Sequence, residues 1–131
     1  MIQIKIITPL GLYTEEEIES INLKTVEGYR TILSNHIPLV AMLDTCKCTL
    51  KEKGNTHCYA LAGGLLQIND NEMRILTDDI EGKEEIDIER AQRAKQRAEK
   101  RLLKSEEDID LKRAEIALAK AINRIKIYEE H

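Results

Sequence analysis

Every glycine and every proline of the 131-residue chain lies before residue 83. The six glycines are Gly11, Gly28, Gly54, Gly63, Gly64 and Gly82, and the two prolines are Pro9 and Pro38. These residues punctuate turns and interrupt helices, so their distribution cuts the first part into short pieces and permits long helices in the second. Charge divides at the same place. Residues 1–83 hold 8 Lys+Arg against 12 Asp+Glu and so carry the whole net charge of −4, whereas residues 84–131 hold 12 of each. The reading is a β domain over 1–83 followed by a helical domain over 84–131.

The first domain alternates at period 2, the pattern of half-buried strands. Ile2, Ile4 and Ile6 share a face opposite Gln3 and Lys5, and Pro9-Leu10-Gly11 turns the chain. Ile21, Leu23 and Thr25 alternate with Asn22 and Lys24, Glu27-Gly28 turns, and Tyr29–Leu33 is a strand that Asn35-His36-Ile37-Pro38 breaks. Cys46–Lys51 and Thr56–Ala62 flank Lys53-Gly54-Asn55, a hairpin signal that sets Cys58 opposite Lys51. Leu65–Ile68 and Met73–Thr77 flank Asn69-Asp70-Asn71, a second hairpin signal, and Asp78-Asp79 lie in a solvated exit from the last strand, with Glu81 as the exception. Eight to ten short strands in about 80 residues predict a small sandwich or flattened barrel. Its core must be aliphatic, because the chain has no Phe or Trp.

The second domain predicts two helices, about Ile88–Lys104 and about Ile109–Tyr128, parted by Ser105-Glu106-Glu107-Asp108. Asp87 is placed to cap the first helix, with Glu89 at the positive end of its dipole. Leu111, Ala114, Leu118, Ala121, Ile125 and Tyr128 recur at 3 and 4 residues, a seam matched on the first helix by Ile88, Ala91, Ala94, Ala98 and Leu102. An alanine-rich seam buries little area, so the hairpin is weakly held. At about 100° per residue, Arg90, Arg93, Arg97, Arg101 and Lys104 form one basic stripe, with Arg113, Lys120 and Arg124 as a shorter one on the second helix. Folding at 105–108 sets Arg90 near Asn123 and Arg124. Like charges face one another at a cost unless an anion lies between them, and that anion can be a nucleotide phosphate or an acidic loop of another protein.

Several function classes fall away. No apolar run approaches the roughly 18 residues of a membrane span, and the alternating start lacks a secretory-leader pattern. The acidic balance and scarce aromatics argue against a base-stacking nucleic-acid binder. Three cysteines, an odd number, fit reduced thiols better than a disulfide framework. Cys46, Cys48, His57 and Cys58 are potential zinc ligands, but the expected register spreads them too far, and no metal is expected. No phosphate-cradling loop or nucleophile pattern is present, so no catalytic residues are assigned.

Longer motifs resemble one family along the whole chain. Ile86-Asp87-Ile88-Glu89-Arg90-Ala91 with Arg97-Ala98-Glu99 resembles the helical start in epsilon subunits of bacterial F-type ATP synthases. Arg113-Ala114-Glu115-Ile116-Ala117-Leu118 and Ala121-Ile122-Asn123-Arg124-Ile125 are similar to that family's second helix. Ile7-Thr8-Pro9, His36-Ile37-Pro38-Leu39, Ala62-Gly63-Gly64-Leu65-Leu66-Gln67-Ile68 and Ile75-Leu76-Thr77-Asp78 match the first half in order.

The resemblance implies a ten-stranded β-sandwich or flattened barrel followed by an antiparallel two-helix hairpin. It implies a non-catalytic central-stalk subunit on the cytoplasmic face of the bacterial plasma membrane, peripheral through its complex. Its implied partners are the gamma subunit, the c-subunit ring and an acidic loop of the beta subunit, and its role is to couple proton flow to ATP synthesis. The hairpin folds against the sandwich or extends along gamma, and the extended form inhibits ATP hydrolysis. In some members the folded form binds ATP, a regulatory ligand rather than a required cofactor, through an (Ile/Leu)-Asp-x-x-Arg-Ala motif.

Carried over residue by residue, Ile86, Asp87, Arg90 and Ala91 fill that motif, Glu81 stands at an adenine-contacting position, and Arg97 and Arg124 match phosphate-side arginines. Lys120 replaces an arginine and loses its two-pronged donor. Arg113, Lys120 and Arg124 are the implied inhibitory contacts. Glu27, Gly28, Tyr29, Arg30 and His36 are the implied stalk and c-ring contacts, although Tyr29-Arg30-Thr31 departs from the family's usual Glu-x-Gly. The residues alone also admit a free-standing sandwich-and-hairpin adaptor, in the manner of a small co-chaperone, that binds partner helices.

Overall fold

The computed structural model describes residues 1–104 and 107–130. It divides into two compact units, Met1–Gly82 and Lys83–His131.

The first unit contains eight strands: β1 (Ile2–Thr8), β2 (Gly11–Ile18), β3 (Ser20–Thr25), β4 (Gly28–Leu33), β5 (Leu39–Glu52), β6 (Asn55–Asn69), β7 (Glu72–Leu76) and β8 (Ile80–Gly82). They form one hydrogen-bonded sheet in the order β2-β1-β7-β6-β5-β3-β4, with β8 on β6. All pairs are antiparallel except β1 with β7. The sheet curls so that β2 lies against β5, and one face of nearly every strand is buried. The core is aliphatic, with Ile2, Ile4, Ile6, Ile18, Ile21, Leu23, Ile32, Leu50, Leu61, Leu66 and Ile75 all 0% exposed. Tyr13 and Tyr59 meet edge-to-face at its margin, with ring centres 6.2 Å apart.

The strand count corrects the expectation of ten. Thr56–Ala62 and Leu65–Ile68 are one strand, because Gly63 (φ 81°) and Gly64 (φ 132°) carry β6 through a left-handed kink instead of ending it. Opposite the kink the ladder passes from Leu43↔Gly64 to Thr45↔Ala62. A Cβ on Gly64 would lie 2.0 Å from the Leu76 carbonyl oxygen, so only glycine fits the approach of β7. Strand β5 likewise begins at Leu39, well before Cys46.

The hairpin register is also corrected. The turn is the two residues Lys53 and Gly54, both at positive φ, which joins Glu52 directly to Asn55. Cys58 therefore pairs with Thr49, not Lys51. Asp70 and Asn71, both left-handed, make the same kind of turn between β6 and β7.

The second unit has a short 3-10 turn, Lys83–Glu85, then α1 (Ile88–Lys104) and α2 (Asp108–Glu129). The α1 boundaries agree with the periodicity. Ser105 and Glu106 of the expected break lie outside the described residues. The two helices pack together through Ala91, Ala98, Ala114 and Ala121, all buried. Tyr128 does not complete the seam: it is exposed, and Ile127 is buried one residue earlier.

Candidate functional site

In the helical unit, the Asp87 carboxylate oxygen Oδ1 accepts the backbone N–H of Arg90 at 3.1 Å. The Asp87 carbonyl accepts the N–H of Ala91 at 3.0 Å. Asp87 therefore caps α1 as its position predicts. The cap fixes the order of the motif: Ile86 and Ala91 are buried, while Asp87 and Arg90 face solvent. Arg93 and Arg97 are exposed on the same stripe as Arg90, and these three line an open depression with Gln96 and Lys100. Among the described residues Arg90, Arg93 and Arg97 make no ion pair. They form a cationic surface able to take a polyanion.

On α2, Lys120 and Arg124 are half-buried and Arg113 is exposed. Lys83 donates from Nζ to the backbone carbonyl of Glu130, tying the start of this unit to the end of α2. Glu81 belongs to the first unit. It sits on β8 opposite Ala60.

The other candidates lie at turns of the sheet. Thr25 Oγ1 accepts the N–H of Glu27 at 3.1 Å and donates to the Gly28 carbonyl at 3.0 Å, which staples the β3–β4 turn. Gly28 itself has φ 128°. Arg30 pairs with Glu27 at 3.1 Å in an exposed, solvent-screened bridge. The exposed Tyr29 ring lies 5.8 Å from the Lys24 ammonium, which also faces Asp44 at 3.5 Å. His36 is half-buried in the β4–β5 connection and donates from Nδ1 to the Ile37 carbonyl at 2.7 Å, in the tautomer that the contact requires.

The sequence reading missed an apolar row on the outer face of the sheet. Met42 pairs with Leu65, Leu65 with Leu76, Leu76 with Ile7, and Ile7 with Leu12. Val26 extends the row, its N–H donating to the Met42 carbonyl at 3.0 Å. Val26, Met42, Leu12 and Leu76 are 67%, 60%, 56% and 42% exposed. A signal was available. Ile6-Ile7, Met42-Leu43, Leu65-Leu66 and Ile75-Leu76 are apolar doublets, and on a strand each doublet puts one side chain inward and the other outward.

Burial raises the Cys48 thiol well above its ordinary range, with the neighbouring Cys46 and Cys58 adding to the shift. Burial also raises Cys46, partly offset by the Lys24 N–H that its sulfur accepts at 3.4 Å. Among the described residues no group of three or more His, Cys, Asp or Glu side chains could hold a metal, and no helix is long and apolar enough to cross a membrane.

Family models match both halves. That of the ATP synthase Delta/Epsilon chain β-sandwich domain matches residues 1–83, and that of the Delta/Epsilon chain long α-helix domain matches residues 84–129. An ATP synthase epsilon chain of Caldicellulosiruptor bescii is 37% identical over 129 residues, covering 98% of this chain and 94% of that one. One of Clostridium novyi is 45% identical over 105 residues, 79% of this chain and 80% of that one. Among solved structures, a chain of the Euglena gracilis mitochondrial ATP synthase superposes with a TM-score of 0.80 at 24% identity, over 93% of this chain and 78% of that one. At that identity the superposition speaks for the fold.

Proposed function

The chain belongs to the ATP synthase Delta/Epsilon family as an epsilon subunit, and on that premise we propose that it is a non-catalytic coupling and regulatory part of the central stalk. The sandwich docks through its outer face on the gamma subunit and presents the Glu27–Arg30 turn and His36 to the c-subunit ring. On this reading the subunit works at the cytoplasmic face of the membrane, peripheral through its complex. The structural neighbour's own assembly includes a c-ring.

The observation that carries this reading is the apolar row from Val26 to Leu12. An exposed apolar stripe crossing five strands marks a surface that a partner covers.

The helical unit supplies regulation. Its two helices meet largely through alanines, so little apolar area opposes their separation. Extended, the hairpin sets Arg113, Lys120 and Arg124 against an acidic loop of the beta subunit and restrains ATP hydrolysis. Folded, it holds ATP through Ile86, Asp87, Arg90 and Ala91, with Arg97, Lys120 and Arg124 toward the phosphates. A ligand that binds only one state shifts the equilibrium by its differential affinity.

The test is truncation before Lys83 in the assembled complex. Hydrolysis rises while the remaining sandwich still co-purifies with gamma. Unchanged hydrolysis removes the inhibitory role, and loss of co-purification removes the docking role. The ligand role is checked separately: Arg90→Ala abolishes the rise in melting temperature that ATP produces in the isolated chain, and an undiminished rise rejects the site.

A further inference from the structure

Two residues along each strand from the apolar row, the same outer face carries a different set of side chains. Lys5 on β1 is the register partner of Arg74 on β7, and Arg74 is the partner of Gln67 on β6. Gln67 in turn pairs with the exposed Val40 on β5. Strands in a sheet lie about 4.8 Å apart, so Lys5 and Arg74 set two cations side by side. Like charges directly opposite one another cost stability unless something neutralises them.

Within the chain that neutralisation is slight. Among the described residues Lys5 has only Glu15 at 3.8 Å, a pair with both side chains more than 40% exposed. Arg74 is exposed and makes no ion pair among the described residues. The unit that holds the two cations, Met1–Gly82, has 12 acidic residues against 7 basic ones, so its surplus charge is negative. Arg74 also stands between two depressions. One of ≈ 490 Å3 includes Pro38, Val40, Gln67 and Glu72 in its lining, and one of ≈ 140 Å3 includes Gln3, Lys5, Glu15 and the same Glu72, which makes no ion pair with either cation among the described residues.

The geometry points to Lys5 and Arg74 as a two-cation receptor for a carboxylate side chain of the protein surface that covers the apolar row. This inference rests on the docking reading above and gives that surface a chemistry: an apolar stripe with an acid at its edge, about 7 Å away, the spacing of residues i and i+2 on a strand. Arg74 supplies the planar fork that matches a carboxylate, and Lys5 adds a mobile point charge. A charge at the edge of an interface acts chiefly on encounter rate and on register. The pair therefore selects which way round the sandwich seats on its partner.

The experiment uses the full chain and purified ATP synthase complex depleted of it, with Kd and association rate measured at low and at high salt. Arg74→Glu lowers the association rate and the affinity by roughly tenfold at low salt and flattens the salt dependence. Arg74→Gln, which adds no repulsion toward Glu72, gives a smaller loss of the same sign. Met42→Asp, in the apolar row, weakens binding at both salt concentrations. If Met42→Asp weakens binding while both Arg74 variants keep the wild-type Kd and salt dependence, the carboxylate receptor is overturned and docking stands. If Met42→Asp also has no effect, the docking reading itself falls. Unfolding in urea confirms that each variant is folded before its binding is compared.

Discussion

The side-chain oxygen of Asn71 accepts the backbone N–H of Asn35 at 2.6 Å, and the side-chain nitrogen of Asn71 donates to Oδ1 of Asn35 at 3.2 Å. The two residues lie 36 apart in sequence, one in the β4–β5 connection and one in the β6–β7 turn. Both have left-handed backbones, with φ 64° at Asn35 and 60° at Asn71. Asn71 also offers its carbonyl to the N–H of Gln3 at 2.8 Å, so one residue joins three segments. The connection that carries His36 is held in place through this clasp.

Replacing Asn71 separates the backbone contribution from the side-chain one. Asn71→Gly keeps the left-handed turn and loses the clasp, a cost of about 1 kcal/mol in urea unfolding. Asn71→Ala loses the clasp and strains the turn, adding about 1 kcal/mol. Equal stability of the two variants would show that the turn geometry carries no cost.

Gly64 tolerates no side chain. A Cβ there would meet the Leu76 carbonyl oxygen at 2.0 Å, so Gly64→Ala must part β6 from β7 or straighten the kink. The expected loss is about 3 kcal/mol or more in chemical denaturation. Gly54→Ala is the comparison: its φ is 81° but nothing lies within 4 Å of the added carbon. The cost there falls to about 1 kcal/mol. Similar losses at the two sites would refute the steric account.

Alkali should weaken the sandwich through its buried thiols. Cys46 and Cys48 are both raised above the ordinary value of 9.0. Above pH 9 the unfolded chain loses protons that the folded chain keeps. Stability is therefore fully present below that value and falls as pH rises, by at most about 1.4 kcal/mol per pH unit for each thiol. Urea midpoints should decline as pH is raised from neutrality to about one unit above the ordinary thiol value, and Cys48→Ala should decline less steeply than the wild type. Parallel slopes would exclude Cys48 as a source.

Asp87 separates a cap from a charge. Asp87→Asn keeps an oxygen for the Arg90 N–H and should preserve helicity by circular dichroism. Asp87→Ala removes it and should cost about 1 kcal/mol in hairpin stability. If Asp87→Asn nonetheless abolishes the thermal shift with ATP, the carboxylate charge serves the ligand as well as the helix. Loss of helicity in Asp87→Asn would contradict the capping role of the side-chain oxygen.

The helical unit was legible because its information is local. Asp87, the run free of Gly and Pro, and the alanine spacing all act within a few residues, and α1 begins at Ile88 as they require. The sheet was less legible because its decisive facts are pairings. Gly63-Gly64 signals a break in any local reading, yet the ladder across it to β5 keeps β6 whole. Strand β2 contains Glu15-Glu16-Glu17, which no strand propensity favours, and it forms by pairing with β1 at the sheet edge. The outer apolar row depends on five strands being aligned, and only its doublets are visible along the chain. The candidate ligand residues of the hairpin came from motif resemblance, whereas the Lys5–Arg74 pair required the register between β1 and β7.

The parallel pairing of β1 with β7 also sets an order of events during synthesis. Ile4 is the register partner of Met73, and Ile6 that of Ile75. Strand β1 leaves the ribosome before β7 and can form its ladder with β2 at once, but its other edge stays open until Leu76 has emerged. Contacts this distant in sequence are slow to close and leave a strand edge available to other chains in the meantime. The acidic run Glu15-Glu16-Glu17 on β2 lies on the segment that waits longest, where repulsion between the acidic runs of two nascent chains discourages them from pairing.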